Sequence, residues 1–209
     1  MGEILLIRHG ETAWNREEIF RGRADVPLSE RGREQARLLA KALGGSPVEA
    51  VYSSPLSRAR ETAGPTARAL GLEVVVDERL VDMSFGEWEG KPRAEVEQKW
   101  PELYEMWATK PEGFRGPGGE SLGEVMARAW PALEEIASRQ EAAAVVSHRV
   151  VCKVLLCEAL GSGTAGFWRV RVDTGSASVL ERGEAGWVVT RVSDTRHLRG
   201  LGEGERVDF

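Results

Sequence analysis

An apolar run, Ile4-Leu5-Leu6-Ile7, is followed at once by the polar segment Arg8-His9-Gly10-Glu11-Thr12. Branched apolar residues without polar alternation are typical of a strand that is buried on both faces, as in a parallel sheet covered by helices. Open sheets of this kind bind their ligands at the carboxyl ends of the strands. The sequence therefore predicts a charged turn at the place where an α/β protein holds its ligand.

Arg8 and His9 give this turn its chemistry. Arginine presents a planar, permanently charged fork that suits phosphate or carboxylate, and neutral imidazole is a nucleophile at pH 7. The pair indicates phosphoryl chemistry, although an Arg-His pair is also common on ordinary surfaces, and the tripeptide leaves both interpretations open. A second buried strand is predicted from Ala142 to Ser147, with a helix from about Val150 to Leu160. This strand is followed directly by His148, so a histidine stands at the end of each of the two buried strands.

Length and charge narrow the class of protein. We predict a single domain over residues 1–209 with an inserted lid-like segment at about 83–120. The 28 lysines and arginines against 33 aspartates and glutamates give a net charge of −5, which argues against nucleic acid as a partner. The N-terminus lacks the features of a signal peptide, and no apolar stretch is long enough to span a bilayer. We expect a cytoplasmic protein without a membrane partner.

Histidines and cysteines offer little material for a metal centre. The histidines are His9, His148 and His197. Cys152 and Cys157 lie five residues apart in an apolar, helical segment, so they point to different faces and lack the geometry of a disulfide or a zinc site. We interpret both cysteines as reduced core residues and expect a mechanism without a metal or another cofactor.

Two helix starts lie close to the predicted sheet edge. Ser29 is predicted to cap a helix that stops at Gly44-Gly45, and Ser54-Pro55 is predicted to open the helix after a strand predicted from Glu49 to Ser53. Arg58 falls in the first turn of that helix. It lies either beside Arg8, where a helix N-terminus also favours anions, or on the exposed face of the helix. Spacing alone leaves both positions open.

The middle of the chain is less regular. The segment from Leu80 to Gly90 places carboxylates among aromatic residues and glycines, which is typical of a functional loop. From Pro92 to about Gly119 short helices rich in large apolar residues are predicted, as a lid or as part of the core. Ser121 and Glu124 then form a capping box for a helix to about Arg139. Paired strands from Ser176 to Glu181 and from Trp187 to Val192 precede a polar tail.

Taken together, these segments resemble the histidine phosphatase superfamily, in its phosphoglycerate mutase-like branch. The resemblance spans nearly the whole chain and implies an α/β three-layer sandwich with a mostly parallel central sheet flanked by helices. The matching motifs, in chain order, are Leu5-Leu6-Ile7-Arg8-His9-Gly10-Glu11-Thr12 with Trp14-Asn15, Asp25-Val26-Pro27-Leu28-Ser29 with Gly32, Tyr52-Ser53-Ser54-Pro55-Leu56 with Arg58, Ala59 and Thr62, Phe85-Gly86 with Trp88-Glu89-Gly90, Gly118-Gly119-Glu120-Ser121, and Val146-Ser147-His148.

The resemblance assigns roles around a phosphoryl group. It implies that His9 attacks phosphorus and becomes a phosphohistidine, which water then hydrolyses, so that one hard displacement becomes two easier ones. Arg8, Arg58 and His148 would surround the transferring group and match its negative charge with fixed donors. Asn15 and the backbone around Gly22 would add neutral hydrogen bonds to the phosphate oxygens. A metal is then not required.

Other positions of the resemblance concern charge and proton transfer. Arg21 stands where many relatives carry a neutral amide, so an additional positive charge is expected at the phosphate. The general acid maps to Asp82, where many relatives have Glu, and Glu87 of the same loop is the substitute candidate and is otherwise expected to bind the substrate. In the other interpretation Glu87 is solvated or paired with a neighbouring arginine.

Two residues in the C-terminal half of the chain, Arg149 and His197, concern substrate binding. Arg149 replaces the glycine that follows the histidine in many relatives; it either contacts a second anionic group of the substrate or points outward to a surface glutamate, since a long arginine stem permits both. His197 either lines the pocket or is a packed structural histidine.

The function expected first is a phosphatase that hydrolyses a small-molecule phosphomonoester. The Gly118–Ser121 segment and the compact length favour it. A cofactor-dependent phosphoglycerate mutase is the first alternative; it needs a water-excluding lid, and residues 92–117 do not resemble the mutase version. A catalytically weak protein that binds a phosphorylated ligand is the second, against which the retained His9, Arg8, Arg58 and His148 argue. An exposed edge strand near the C-terminus would permit a homodimer.

Overall fold

One six-stranded sheet organises the computed structural model, which describes residues 2–202. The strand order is β3-β2-β4-β1-β5-β6; the first four strands along the chain run parallel, and β5 and β6 are antiparallel to their neighbours. The strands are β1 (Glu3–Arg8), β2 (Ala50–Ser53), β3 (Val74–Val76), β4 (Ala142–Ser147), β5 (Ala177–Gly183) and β6 (Gly186–Asp194). The predicted mostly parallel central sheet is confirmed.

Seven α-helices accompany the sheet within the described residues. They are α1 (Ala13–Arg16), α2 (Glu30–Leu43), α3 (Ser57–Leu70), α4 (Arg93–Lys99), α5 (Pro101–Thr109), α6 (Leu122–Arg139) and α7 (Arg149–Ala159). Short 3₁₀ helices lie at Glu78–Leu80, Gly86–Trp88, Pro111–Gly113, Thr164–Arg169 and Arg196–Leu201. The last of these shows that the segment after Ser193, predicted as a polar tail, has helical structure up to Leu201.

The core lies on both faces of the sheet. Alternate residues of β1 belong to different apolar clusters, Ile4 and Leu6 to one and Leu5 and Ile7 to the other, as the pleat of a doubly covered strand requires. The first cluster includes buried residues of α6 and α7, and the second includes residues of α2 and α3. Helices therefore cover the sheet on both sides, which confirms the three-layer sandwich.

Local capping signals set the starts of α2 and α6. The Ser29 hydroxyl accepts from Gly32 N at the start of α2, and Ser121 and Glu124 form the predicted capping box of α6. The prediction that Ser54 caps α3 is wrong. Leu56 is the N-cap and the helix begins at Ser57. The Ser54 hydroxyl lies instead 2.6 Å from the His148 ring, a contact between distant parts of the chain that no local rule includes.

The segment at 83–120 contains α4, α5 and two of the 3₁₀ helices. Trp88, Trp107 and Phe114 are buried in the larger apolar cluster, whereas Met106 is 38% exposed. The large side chains that face inward are thus core residues. The prediction of one domain over 1–209 stays a prediction, because residues 1 and 203–209 lie outside the described part.

The far edge of the sheet is β6, where Val188 and Val192 are exposed. A homodimer through this strand stays a prediction. Among residues 2–202, no helix has the length and apolar character needed to cross a membrane. Cys152 and Cys157 are free thiols buried in α7, in agreement with their interpretation as reduced core residues.

Candidate active site

The two strand-ending histidines meet because β1 and β4 are adjacent, parallel and in register. Arg8 is paired with Ser147, so the next residue of each strand is a histidine at the same edge of the sheet. His9 N donates to Ser147 O at 2.9 Å, and the ring centroids of His9 and His148 are 5.1 Å apart. Both rings are buried. The structure therefore brings together the two residues that the sequence placed at strand ends.

The His9 ring is held in one tautomer. Its Nδ1 lies 2.7 Å from the carbonyl oxygen of Gly10, and since a carbonyl only accepts, Nδ1 carries the proton. Nε2 is buried and makes no hydrogen bond within the described residues. Burial, followed by the charges of Arg58, Arg8 and Arg21, lowers the pKa of His9 well below its ordinary value of 6.5. At pH 7 the ring is neutral and Nε2 has a free lone pair, as a nucleophile needs.

Close contacts with two helices fix the turn that carries His9. Gly10 N donates to the hydroxyl of Thr62 on α3 at 3.0 Å. A Cβ on Gly10 would lie 2.6 Å from the Gly32 carbonyl oxygen of α2, and one on Gly32 would lie 2.1 Å from the Glu11 carbonyl oxygen. Glycine at both positions permits this approach of backbone to backbone. The motif thus owes its glycine to packing against α2.

Arg58 is fully buried, so its placement on an exposed helix face is excluded. Its Nε donates to Nδ1 of His148 at 3.2 Å, and its Nη2 donates to the Gly22 carbonyl at 2.8 Å and to Oδ2 of Asp82 at 3.1 Å. Nδ1 of His148 is then an acceptor, which places the proton on Nε2 beside the Ser54 hydroxyl. Burial and the Arg58 charge lower the pKa of His148 well below 6.5. Arg58 therefore joins three segments of the site.

Asp82, and not Glu87, lies at the histidines. The Asp82 carboxylate is buried, accepts from Met83 N at 2.9 Å through Oδ1, and holds Oδ2 3.6 Å from Nδ1 of His148. Glu87 lies on the 3₁₀ helix Gly86–Trp88 with an exposed side chain. Glu89 accepts from the backbone of Arg23 and Phe85, so it shapes the loop. Of the loop carboxylates Asp82, Glu87 and Glu89, Asp82 is therefore the one that lies beside His148.

Three further predicted phosphate ligands surround this centre. Arg8 is buried and donates through Nη1 to the Val172 carbonyl. The Asn15 side-chain oxygen accepts from the Thr12 amide and hydroxyl, both at 2.9 Å. The NH₂ group of Asn15 takes no part in these two hydrogen bonds. Arg21 is 8% exposed, and its Nε and Nη1 make no hydrogen bond within residues 2–202. Burial, and then the neighbouring Arg8, lower the Arg21 pKa.

A narrow cleft opens beside these groups. Its polar lining includes Arg21, the Gly22 backbone, Asp82 and Arg149, and its apolar lining comes from Ile19, Phe20, Phe85 and Val150. Gly22 has a φ of +50°, and a Cβ there would collide with the Glu89 carboxylate, so glycine is needed on this wall. Arg149 is 6% exposed, which excludes the outward-pointing interpretation.

His197 supports the turn from behind. Its Nε2 lies 3.0 Å from the Gly175 carbonyl, and Gly175 N in turn donates to the carbonyl oxygens of Arg8 and His9, at 3.1 Å each. His197 is half-buried, and burial lowers its pKa. These contacts agree with a packed structural histidine.

Arg128 of α6 is a site residue that the sequence analysis missed. It donates through Nη1 to the carbonyls of Arg79 and Val81, at 2.7 Å each, and through Nη2 to the carbonyl of Asp82 at 3.1 Å. Glu120 accepts from it at 3.0 and 3.1 Å. Arg128 therefore holds the backbone that presents Asp82. The available signal was an arginine three residues after Val125, on the apolar face of the helix.

Within residues 2–202 no group of three or more His, Cys, Asp or Glu side chains is arranged to hold a metal ion. A mechanism without metal stays a prediction. The arrangement that is present, a neutral buried histidine beside several arginines at the carboxyl edge of a mostly parallel sheet, is typical of α/β proteins that act on phosphate groups.

Comparison with known protein families identifies which family of phosphate-acting α/β proteins the chain belongs to. The family model described as "Histidine phosphatase superfamily (branch 1)" matches residues 4–195. The chain therefore belongs to the histidine phosphatase superfamily, as the sequence motifs predicted.

Individual relatives carry several activities in their names. The chain is 37% identical over 200 residues to "Phosphoserine phosphatase 1" of Hydrogenobacter thermophilus, covering 95% of each chain. It is 34% identical to "Probable phosphoglycerate mutase GpmB" of Yersinia enterocolitica, again covering 95% of each. Among solved structures, the mycobacterial glucosyl-3-phosphoglycerate phosphatase complexed with VO3 superposes with a TM-score of 0.86 at 27% identity, covering 93% of this chain and all of that one.

Proposed function

We propose that the protein hydrolyses small phosphomonoesters through a phosphohistidine formed on Nε2 of His9. The observation that carries this proposal is the His9 ring itself, which is buried, neutral and fixed by Gly10 so that Nε2 has no partner in the described residues. Membership of the histidine phosphatase superfamily and the phosphatase names of relatives support a phosphoric monoester hydrolase that acts on small molecules.

In the first step Nε2 of His9 attacks phosphorus in line with the ester oxygen. The P–Nε2 bond forms while the P–O bond to the leaving alcohol breaks, and Asp82 gives its proton to the departing oxygen. Arg8 and Arg58 face the charge that spreads over the phosphoryl oxygens, and the Asn15 amide adds a neutral donor. Because these donors are buried and already oriented, they need little reorganisation during the reaction.

In the second step water attacks the phosphohistidine. The Asp82 carboxylate accepts the proton of the water, the P–Nε2 bond breaks, and inorganic phosphate leaves with His9 restored to its neutral form. His148 packs against His9 and accepts from Nε of Arg58, so it keeps that guanidinium directed at the phosphoryl group. Arg21 adds positive charge at the entrance to this centre.

A phosphoglycerate mutase is the second candidate, favoured by the name of the Yersinia relative. A mutase must protect its phosphohistidine from water until a second substrate oxygen arrives. The two candidates therefore differ in the fate of the same intermediate, and not in its formation. We also propose a cytoplasmic location, which the free thiols of Cys152 and Cys157 support.

The test measures transfer of the phosphoryl group from the substrate to the enzyme and its release as free phosphate. Protein treated with EDTA is mixed with radiolabelled 3-phosphoglycerate, phosphoserine and 4-nitrophenyl phosphate, and rapid quenching measures acid-labile phosphoenzyme and free phosphate. We expect both from the wild type, neither from His9→Ala, and both from the matched histidine control His197→Gln. Formation of 2-phosphoglycerate without phosphate release would assign the mutase activity. No phosphoenzyme and no turnover, with tight ester binding retained, would refute the enzyme and favour a binding protein.

A further inference from the structure

We propose that Ser54 is a positioning residue, whose hydroxyl holds the His148 ring in the orientation and tautomer that let His148 accept from Nε of Arg58. This inference rests on the proposed function, in which Arg58 faces the phosphoryl group, and adds to it a residue that acts only through His148 and Arg58. Ser54 is completely buried, and Leu56 takes the N-cap position of α3. A buried hydroxyl needs hydrogen-bond partners, so its contact with the histidine ring calls for a role.

The sheet places Ser54 beside His148. Strands β2 and β4 are adjacent and parallel, with Ser53 paired to Val146. Ser54 and His148 each follow the last residue of their strand, so both lie at the same edge of the sheet. Ser54 N also donates to the Val146 carbonyl at 3.0 Å, which ties the backbone of Ser54 to β4. The position of the hydroxyl is therefore set by the sheet.

The Ser54 oxygen is the hydrogen-bond partner of Nε2 of His148, at 2.6 Å. Nδ1 of the same ring accepts from Nε of Arg58 at 3.2 Å, so the single proton of the neutral ring is on Nε2 and is donated to Ser54. The ring is neutral at pH 7 because burial and the Arg58 charge lower its pKa. One hydrogen bond at each nitrogen thus fixes both the plane and the tautomer of the ring.

Asp82 offers the ring a competing arrangement. Its Oδ2 lies 3.6 Å from Nδ1 of His148 and would accept a proton carried by that nitrogen. In that tautomer Nδ1 is a donor, so the hydrogen bond from Nε of Arg58 is lost. Ser54 favours the observed tautomer, because without the Ser54 oxygen Nε2–H would be a buried donor with no acceptor among residues 2–202. The serine hydroxyl therefore supports the contact that directs Arg58.

Nuclear magnetic resonance of the histidine rings tests this role without any substrate. The chain has three histidines, so protein with isotope-labelled histidine gives three ring spectra, and His9→Ala and His197→Gln assign them. Long-range proton–nitrogen correlations distinguish Nε2–H from Nδ1–H. We expect only Nε2–H at His148 in the wild type and a clear Nδ1–H fraction in Ser54→Ala. The matched control Ser53→Ala, at a buried serine whose hydroxyl donates to a backbone carbonyl, should keep the wild-type tautomer.

Steady-state kinetics on glycerol 3-phosphate and 4-nitrophenyl phosphate connects the ring to the reaction. Ser54→Ala should lower kcat about 10-fold for both esters and change KM less than about 3-fold, because a misdirected Arg58 stabilises the transition state less. The loss should not depend on the leaving group, in contrast to the loss of a proton donor. Ser54→Thr keeps the hydroxyl and should restore most of kcat, and Ser53→Ala should change kcat less than about 3-fold.

A double-mutant cycle separates positioning from a general loss of structure. If Ser54 acts through His148, Ser54→Ala should lower kcat about 10-fold in the wild type and less than about 2-fold in the His148→Gln background. Equal losses in both backgrounds, or a kcat loss with an unchanged His148 tautomer, would overturn the inference.

The two kinds of measurement also distinguish this inference from the proposed function. If the wild type hydrolyses no ester but the His148 tautomer changes in Ser54→Ala, the proposed function fails and the role of Ser54 at the ring stands. If the esters are hydrolysed and Ser54→Ala keeps the wild-type kcat, the positioning role fails and the hydrolase stands.

Discussion

Replacing Asp82 by asparagine tests the proton donor with little change in shape. Asparagine keeps an oxygen that can accept from Met83 N or from Arg58, but it has no acidic proton to give. General acid catalysis contributes about 10²- to 10⁴-fold, so the barrier for an alkyl phosphate should rise by about 2.7–5.5 kcal/mol. For 4-nitrophenyl phosphate, whose leaving oxygen departs without a proton, the same substitution should slow the first step less than about 10-fold.

The contacts of Arg58 limit the accompanying loss of stability. Arg58 keeps its hydrogen bonds to the carbonyls of Gly22 and Ala24 when Asp82 becomes neutral. We therefore expect Asp82→Asn to lower the free energy of unfolding by about 1–2 kcal/mol, less than the 3–5 kcal/mol typical of stranding one member of a buried ion pair. Urea unfolding measures this loss, and the folded variant can then be assayed.

Steady-state kcat/KM for glycerol 3-phosphate and 4-nitrophenyl phosphate provides the assay, with Glu87→Gln as the matched carboxylate control. We expect a large, leaving-group-dependent loss in Asp82→Asn and none in Glu87→Gln. An equal loss on both substrates would show that Asp82 acts through the position of Arg58 instead of proton transfer. A leaving-group-dependent loss in Glu87→Gln would assign the donor to the exposed carboxylate and refute the reasoning from burial.

Three further outcomes follow from the same geometry. Arg128→Met should lower kcat for alkyl phosphates about 10-fold or more with little change in KM, because it releases the backbone of Asp82. Arg128→Lys should restore only part of the lost kcat, and steady-state kinetics measures both variants. The pKa values of His9 and His148 in the folded protein lie below the value of 6.5 in the unfolded chain, so their contribution to stability is complete above pH 6.5 and is lost as the pH falls from 6.5 through the folded pKa values. Urea unfolding at pH 5.5 should therefore show a free energy of unfolding about 1.4 kcal/mol lower per histidine than at pH 8. His148→Gln should reduce this difference between the two pH values by about 1.4 kcal/mol. Gly32→Ala should lower the free energy of unfolding by about 1–3 kcal/mol and remove most of the activity, because the new methyl group collides with the backbone of the turn that carries His9. The control Gly123→Ala should lower neither, as measured by urea unfolding and steady-state kinetics.

The sequence predicted features that depend on neighbours along the chain. The buried strand before Arg8, the Ser29 cap and the capping box of Ser121 and Glu124 are each specified within a few residues, because strand burial follows apolar runs and caps use side chains two or three positions away. The same local reasoning failed at Ser54. A hydroxyl that is suited to a cap also serves a histidine ring 94 residues away, and α3 begins later.

The order of the motifs was sufficient to indicate the superfamily, and the family comparison confirmed it. It was also sufficient to indicate that His9 and His148 end strands. Their contact depended on strand order, since only the adjacency and register of β1 and β4 bring the rings within 5.1 Å. Sheet order is a property of the packed molecule, in which non-local pairings compete, so composition and periodicity do not determine it.

By itself, then, the sequence determined an α/β chain with a nucleophile-bearing turn and the residue types of a phosphate site. The tertiary structure decided between interpretations that spacing left open. It buried Arg58 and Arg149, both of which had been equally compatible with an exposed helix face. It also placed Asp82 beside His148 and left Glu87 exposed, and it added Arg128, which holds the backbone of Asp82. The physical reason is that burial and charge pairing are set by contacts across tens of residues, whereas capping and strand propensity act within one turn.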